Sequence, residues 1–267
     1  MYKILSVGTS FNHGLGLHFY ERHKKGLPLN YTLTPEEREF NVYNTFHSIL
    51  ARKLNAVSEI HFGSNFGLDT KFDDMIHGIK VEVDKEHNTP IKIVVIQLSN
   101  VEKDFFIYND NVYRLDFNSA DEFMISKDIL INSIDESIRE DFTKKLELEF
   151  DAYLSNTEMW RIMHAGWFVN KLNDLNKFLL ERGIILQIIS YYKDYDLASK
   201  LFDNNLYVTL SNRGQSFNHI HDMCCTNKLR IRDDMGGNDE HPNFEGHESV
   251  AESLYKNIIN HPLYTNI

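Results

Sequence analysis

Short apolar runs alternate with longer amphipathic stretches along this chain. Three runs rich in Val, Ile and Leu have few polar interruptions and predict buried strands, at 3–8, 91–98 and 184–190. The second is apolar throughout 93–96, which is typical of a central parallel strand covered on both faces. A shorter strand is predicted at 59–62, and residues 206–210 fit either an edge strand or a loop.

Apolar residues at helical spacing predict the intervening helices. Thr34-Pro35-Glu36-Glu37 has the pattern of a capping box with proline in the first turn, so we expect a helix from there to Asn55. Other helices are expected at 69–78, 134–154, 157–182 and 244–260. The least regular part, 101–133, includes a possible hairpin around Asn109-Asp110-Asn111, and 211–240 reads as polar, glycine-rich sequence.

Strands that alternate with helices predict an α/β fold. We expect one domain over residues 1–267, a three-layer α/β/α sandwich with a flavodoxin-like, mostly parallel sheet. An irregular insertion around 101–133 and two long helices around 134–182 would elaborate it.

Charge and cysteine content narrow the class of protein. A formal net charge of −11 and the lack of a clustered basic face argue against nucleic-acid binding, and Arg22-His23-Lys24-Lys25 reads as a solvated loop. Neither a signal peptide nor a membrane-length apolar run is recognisable. Two adjacent cysteines fit a reducing compartment. We expect a cytoplasmic protein that binds neither nucleic acid nor membrane, or a virion component if the chain is phage-encoded; its oligomeric state is left open.

Polar residues follow the predicted strands where each strand ends. Ser10 comes after the first strand, Gly63 after the second and Asn100 after the third, while Asp239 and His241 precede the last helix. The carboxyl ends of parallel strands meet at one edge of a sheet, so these residues would converge there. A serine, oxyanion donors and an Asp/His pair are the parts that acyl transfer requires.

These segments resemble the four blocks of the SGNH (GDSL-like) hydrolases. The matching residues are Gly8-Thr9-Ser10, Gly63, Asn100, and Asp239-Glu240-His241-Pro242 with Gly246-His247, and the first block is most similar to variants from tailed phages. The resemblance implies Ser10 as nucleophile, His241 as general base and Asp239 as its orienting acid. It implies an oxyanion hole from the amides of Ser10 and Gly63 and the side chain of Asn100. The implied activity is that of a serine esterase on a small-molecule or carbohydrate ester, for example O-acetyl groups, without a cofactor.

The chain departs from the family pattern in the first, third and last blocks, and its second block is ambiguous. Thr9 stands where the family has aspartate, and the third block, usually Gly-x-Asn-Asp, keeps only its asparagine. The usual acid lies three residues before the histidine, where this chain has Asn238, and Gly67 is an alternative to Gly63. The alternatives are therefore an inactive binding or structural (virion) protein with the same fold, or an O-acyltransferase.

Other chemically active residues favour structural roles. The segment 218–225 contains ligand types used by zinc, but no CxxC or HxxxH partner accompanies it, so we expect no metal and a polar loop with partly buried cysteines. The histidines near the proposed site and the two tryptophans are expected mainly to pack or to hydrogen bond; they are His13, His18, His247, Trp160 and Trp167. Specificity would come from the loops at 18–34, 101–133 and 211–237.

Overall fold

The structure is a computed structural model that describes residues 1–8, 11–60, 72–98, 105–109, 111–114, 120–155, 157–191 and 206–266. The strands are β1 (Lys3–Val7), β2 (Val57–Ile60), β3 (Ile91–Leu98), β4 (Phe105–Tyr108), β5 (Asn111–Arg114), β6 (Ile185–Ser190), β7 (Leu210–Asn212) and β8 (Gln215–Phe217). The helices are α1 (His18–Lys24), α2 (Pro35–Tyr43), α3 (Phe46–Lys53), α4 (Phe72–Asp84), α5 (Ala120–Ser133), α6 (Arg139–Ser155), α7 (Thr157–Leu180), α8 (Ile220–Asn227), α9 (Ile231–Met235) and α10 (Phe244–Ile259), followed by a 3-10 turn at Tyr264–Asn266.

A parallel sheet with the strand order β2-β1-β3-β6 forms the centre of the molecule. Beyond β6, Tyr207 forms a parallel bridge with Ile188. The segment 206–210 therefore pairs with the edge of the sheet, as the edge-strand alternative expects, but through one residue pair. With this segment in the fifth position the order is that of a flavodoxin-like, doubly wound sheet. The predicted α/β class and the strand β3 are confirmed; that the chain forms a single domain stays a prediction.

Both faces of the sheet are apolar and covered by helices. On β3, Val94 and Ile96 pack into a core with α4 and α7, while Ile93 and Val95 pack into a second core with α3, α8 and α10. All four side chains are buried, and burial of each contributes roughly 1.5–3 kcal/mol. The continuous apolar run of β3 is thus explained by its position between two cores, and the architecture has three layers.

The helix predicted from Thr34 to Asn55 is wrong in one respect, because it is broken into α2 and α3. The capping box of Thr34 and Glu37 is present as expected. Thr45, however, is buried and has an extended backbone, with φ −77° and ψ 159°. Its hydroxyl donates a hydrogen bond to the carbonyl oxygen of Val42 at 2.7 Å, which stabilises the turn between the helices.

Several other boundaries differ from the prediction. β2 begins at Val57 rather than 59, and α4 continues beyond Gly78 to Asp84 because Ile79 on its inner face is fully buried in the core. The hairpin around 109–111 is confirmed as β4 and β5, whereas α5 was not predicted. The first long helix begins only at Arg139, after a turn held by the Asp135 carboxylate.

The polar stretch 211–240 is more ordered than its composition indicates. It contains part of the β7–β8 hairpin as well as α8 and α9, so the expected polar loop at 218–225 is in fact mostly helix. Ile220, Met223 and Cys224 recur at helical spacing and are buried in the second core. Cys225, by contrast, is partly exposed.

Candidate active site

The carboxyl ends of β1 and β3 lie side by side at the edge where the site was expected. Val7 pairs with Ile96, and a Cβ atom on Gly8 would lie 2.7 Å from Oε1 of Gln97. The backbone directly after β1 therefore packs closely against β3. In the sequence, the predicted nucleophile follows β1, and the predicted oxyanion residues Gly63 and Asn100 follow β2 and β3. Ser10, Gly63 and Asn100 lie outside the described residues, as do Thr9 and Gly67.

Phe11, directly after Ser10, stacks on two neighbouring rings. Its ring stacks on Phe46 at a centroid distance of 4.8 Å and on His247 at 4.6 Å, both at 13° between planes. Nδ1 of His247 also accepts a hydrogen bond from the backbone amide of Phe46 at 3.2 Å. The predicted packing role of His247 is therefore confirmed, and it fixes the chain next to Ser10.

Asp239 and His241 form a hydrogen-bonded pair. Oδ1 of Asp239 lies 2.8 Å from Nδ1 of the His241 ring and also accepts the backbone N–H of His241 at 2.8 Å. The carboxylate places the ring proton on Nδ1, which leaves Nε2 as the nitrogen able to accept a proton. The Asp239 side chain is 5% exposed and that of His241 is 23% exposed, so the carboxylate is buried and the imidazole is partly open to solvent.

The second carboxylate oxygen of Asp239 is held by the segment after β1. Oδ2 accepts a hydrogen bond from the hydroxyl of Tyr31 at 3.1 Å. Burial alone would raise the pKa of Asp239, but the hydrogen bonds and charge of His241, together with Tyr31, hold that pKa below its ordinary value. Asp239 is therefore a carboxylate at neutral pH.

The loop that contains Asp239 and His241 is fixed to its surroundings through its backbone. The carbonyl oxygen of Asp239 accepts from the amide of Arg232 at 3.0 Å, and that of His241 from the amide of Ile231 at 2.8 Å. The hydroxyl of Tyr191, the residue after β6, donates to the carbonyl oxygen of Glu240 at 2.9 Å. This loop thus lies at the carboxyl end of β6, on the same edge as the ends of β1 and β3.

His18 and Arg22 hold the connection after β1 rather than facing solvent. His18 is buried, with Nε2 donating to the carbonyl oxygen of Asn30 at 2.9 Å and Nδ1 accepting from the Asn41 amide at 3.1 Å. The interpretation of 22–25 as a solvated loop is wrong for residues 22–24, which form the last turn of α1. Arg22 is buried and binds Glu37 through two hydrogen bonds of 2.6 and 2.8 Å.

Two residues that position the Asp239 carboxylate were not predicted from the sequence. Tyr31 lies in a polar connection with no pattern that points to position 239. The only indication for Gly16 in the sequence is that it is a glycine in the connection after the first strand. Its φ is +90°, and a Cβ atom there would lie 2.5 Å from Oδ2 of Asp239. Of the two tryptophans, Trp167 packs against the core as expected, and the side chain of Trp160 lies outside the described residues.

No protein-family model matches the chain, and no curated protein is significantly similar to it. Among solved structures, a protein assigned to the lipolytic G-D-S-L family from Desulfitobacterium hafniense aligns with 96% of this chain and 99% of its own, at 10% identity and a TM-score of 0.41. A carbohydrate esterase described as having divergent catalytic and non-catalytic binding functions aligns with 98% of this chain and 70% of its own, at 12% identity and a TM-score of 0.43. A family two carbohydrate esterase from Clostridium thermocellum, in complex with cellohexaose, aligns with 97% of this chain and 64% of its own, at 15% identity and a TM-score of 0.40.

At these identities and TM-scores the alignments establish neither a family nor an activity for this chain. Among the described residues, no helix is both long and apolar enough to span a membrane.

Proposed function

We propose that this chain is a serine esterase or a related acyl hydrolase, with Ser10 as nucleophile, His241 as general base and Asp239 as the acid that orients it. The observation that carries the proposal is the Asp239–His241 pair, with Nδ1 2.8 Å from the carboxylate. This pair is in contact with the segment that leaves β1, because Tyr31 binds the same carboxylate.

The proposed reaction proceeds in two halves. His241 Nε2 takes the proton of the Ser10 hydroxyl as its oxygen attacks the ester carbonyl carbon, and then gives that proton to the departing alcohol. Water, activated by the same nitrogen, attacks the acyl-enzyme and releases the acid and free Ser10. The buried carboxylate of Asp239 keeps the proton on Nδ1 and stabilises the imidazolium that forms in each half.

The amides of Ser10 and Gly63 and the side chain of Asn100 are proposed to bind the oxyanion. Each such donor is typically worth about 100- to 1000-fold in turnover. The substrate class proposed is a small-molecule or carbohydrate ester, and O-acetyl groups on a carbohydrate are the narrower hypothesis. Hydrolysis of nitrophenyl acetate tests the class, and release of acetate from an acetylated polysaccharide tests the narrower form.

Labelling with a fluorophosphonate tests the nucleophile. Wild-type protein should be labelled and should hydrolyse nitrophenyl acetate, whereas Ser10→Ala should lose both properties. His241→Ala should lower kcat by about 10⁴-fold or more, as removal of a member of such a triad does. Absence of both labelling and turnover in the wild type would instead favour a binding or structural protein; turnover that depends on an added sugar hydroxyl would favour an acyltransferase.

A matched pair of variants tests the acid. Asp239→Asn should lower kcat by about 10⁴-fold, because an amide at this position favours the wrong tautomer of the base. Asn238→Ala changes the neighbouring residue of the same loop and should leave kcat within a few-fold of wild type. If only the change at position 238 is damaging, the assignment of Asp239 is wrong.

A further inference from the structure

Three side chains of metal-ligating type come together beside the loop that contains His241. Cys225 and His221 lie one turn apart on α8, with the Cys225 sulfur 3.5 Å from Nε2 of His221. Oε2 of Glu240 lies 4.0 Å from the same nitrogen. The potential ligand atoms of the three residues all lie within 4.8 Å of one another.

We propose that His221, Cys225 and Glu240 bind a Zn²⁺ ion. The proposal is independent of the esterase proposal, since none of the three residues has a role in it. Imidazole, thiolate and carboxylate together suit zinc better than Mg²⁺ or Ca²⁺, which prefer oxygen ligands alone.

The observed spacing fits a tetrahedral zinc ion. Bond lengths of about 2.3 Å to sulfur and about 2.0 Å to nitrogen, at a tetrahedral angle, separate the two ligand atoms by about 3.6 Å. The Cys225 sulfur is 3.5 Å from Nε2 of His221, which matches this separation, but it is also 3.6 Å from Nδ1, so the imidazole must rotate to aim Nε2 at the ion. A carboxylate oxygen and an imidazole nitrogen should be about 3.4 Å apart on the same ion, so Glu240 must approach His221 by about half an ångström. Water completes the four ligands.

Tyr191 fixes both halves of the site. Its carbonyl oxygen accepts from the backbone amide of His221 at 2.9 Å, and its hydroxyl donates to the carbonyl oxygen of Glu240 at 2.9 Å. The ligands are therefore held in place by their neighbours, and binding needs little rearrangement of the backbone.

The guanidinium group of Arg230 already places a cation between two of the ligands. Its NH1 atom is 3.2 Å from the Cys225 sulfur and 3.0 Å from Oε2 of Glu240. The rest of the guanidinium is bound to Asp233, through Nε at 2.8 Å and NH2 at 2.9 Å. Zn²⁺ would take the place of NH1 between the thiolate and the carboxylate, and the thiol proton would go to solvent. Because the guanidinium is rigid, Arg230 must then move away as a whole, either with Asp233 or by releasing it.

The site is open to solvent and couples two elements. The side chains of His221 and Glu240 are 31% and 37% exposed, so an ion can enter without unfolding. Glu240 stands between Asp239 and His241, and a shared ion would tie this loop to α8. The sequence did not reveal the site because its third ligand is distant from α8 along the chain and is neither cysteine nor histidine.

Calorimetric titration of the EDTA-treated full chain with Zn²⁺ tests the proposal. One ion per chain should bind and raise the melting temperature. Cys225→Ser and Glu240→Gln should each weaken binding by at least about 10- to 100-fold, which is the loss already caused by removing a residue that only hydrogen bonds to a metal ligand. With Co²⁺ as the probe, a sulfur-to-cobalt charge-transfer band should appear in wild type and disappear in Cys225→Ser.

Two control variants separate this site from other groups. Cys224→Ala removes the neighbouring thiol, which is buried in the core, and should keep the cobalt band. His241→Ala should bind Zn²⁺ like the wild type even though it loses esterase activity, which keeps the two proposals separable. Absence of saturable Zn²⁺ binding in wild type, or wild-type affinity in Cys225→Ser, would overturn the proposal.

Discussion

The Asp239 carboxylate lies in space that a side chain at position 16 would fill. With φ at +90°, Gly16 has a backbone conformation that L side chains rarely adopt. A Cβ atom there would lie 2.5 Å from Oδ2 of Asp239 and 2.4 Å from Cδ1 of Ile231. Gly16, in the connection that follows the first strand, thus determines whether the proposed acid can occupy its position.

Gly16→Ala is therefore expected to impair both stability and activity. Backbone strain and overpacking should together lower the free energy of unfolding by about 2–4 kcal/mol. Displacement of the carboxylate should lower kcat by at least about tenfold, because the imidazole loses its orientation. Urea unfolding and hydrolysis of nitrophenyl acetate measure the two effects. A variant as stable and as active as wild type would show that this close approach does not hold Asp239.

The spacing of the proposed acid and base can be understood from local physics. An aspartate two residues before another residue can accept that residue's backbone N–H in an Asx-turn, and Asp239 does so with His241 at 2.8 Å. The same oxygen then reaches the ring. The pairing of Asp239 with His241 could therefore be predicted from sequence. The contact with Tyr31 could not, since it joins residues 208 positions apart through one hydroxyl.

At the scale of elements, strands were easier to predict than helix ends. β3 is apolar because both its faces are covered, and its bounds follow directly from the sequence. The break at Thr45 depends instead on burial of that side chain between two helices, which periodicity does not reveal. α8 was missed because its apolar residues are embedded in a polar, glycine-rich segment.

Helix α7 contains a glycine that its local structure does not require. Gly166 lies within this helix, and no described atom outside its own local backbone is within 4 Å of the position of an added Cβ. Gly166→Ala should raise the free energy of unfolding by about 0.5–1 kcal/mol, because alanine loses less conformational entropy in a helix. Urea unfolding measures this change, and esterase activity should stay the same. The same substitution thus has opposite effects at positions 16 and 166; a destabilised Gly166→Ala would show that a close neighbour occupies that space.

At the scale of the whole molecule, the sandwich could be predicted because three apolar strands require cover on both faces. The polar contacts between its layers could not. His47, at the start of α3, binds Ser58 of β2 through Nδ1 at 2.6 Å and the carbonyl oxygen of Asn12 through Nε2 at 2.8 Å. His247 on α10 packs against Phe11. Both histidines are fully buried and join the loop after β1 to the helical layer.

Burial lowers the pKa of His47 to about 4 and that of His247 to about 3. In the unfolded chain both groups bind protons near the ordinary histidine pKa of about 6.5. Between about pH 6.5 and pH 4 the unfolded chain therefore binds more protons than the folded one, and stability falls as the pH falls. Each histidine contributes about 1.4 kcal/mol per pH unit in this window, and its contribution is fully present above about pH 6.5.

Urea unfolding of wild type and His47→Gln at pH 7 and pH 5 isolates one of these contributions. Glutamine can donate and accept hydrogen bonds but does not titrate, so the variant should lose about 1–2 kcal/mol less than wild type when the pH is lowered. His23→Gln, at an exposed position, serves as the matched control and should behave like wild type. Equal losses in wild type and His47→Gln would mean that His47 accepts its proton without unfolding, and hence that the layer behind the candidate active site opens readily to water.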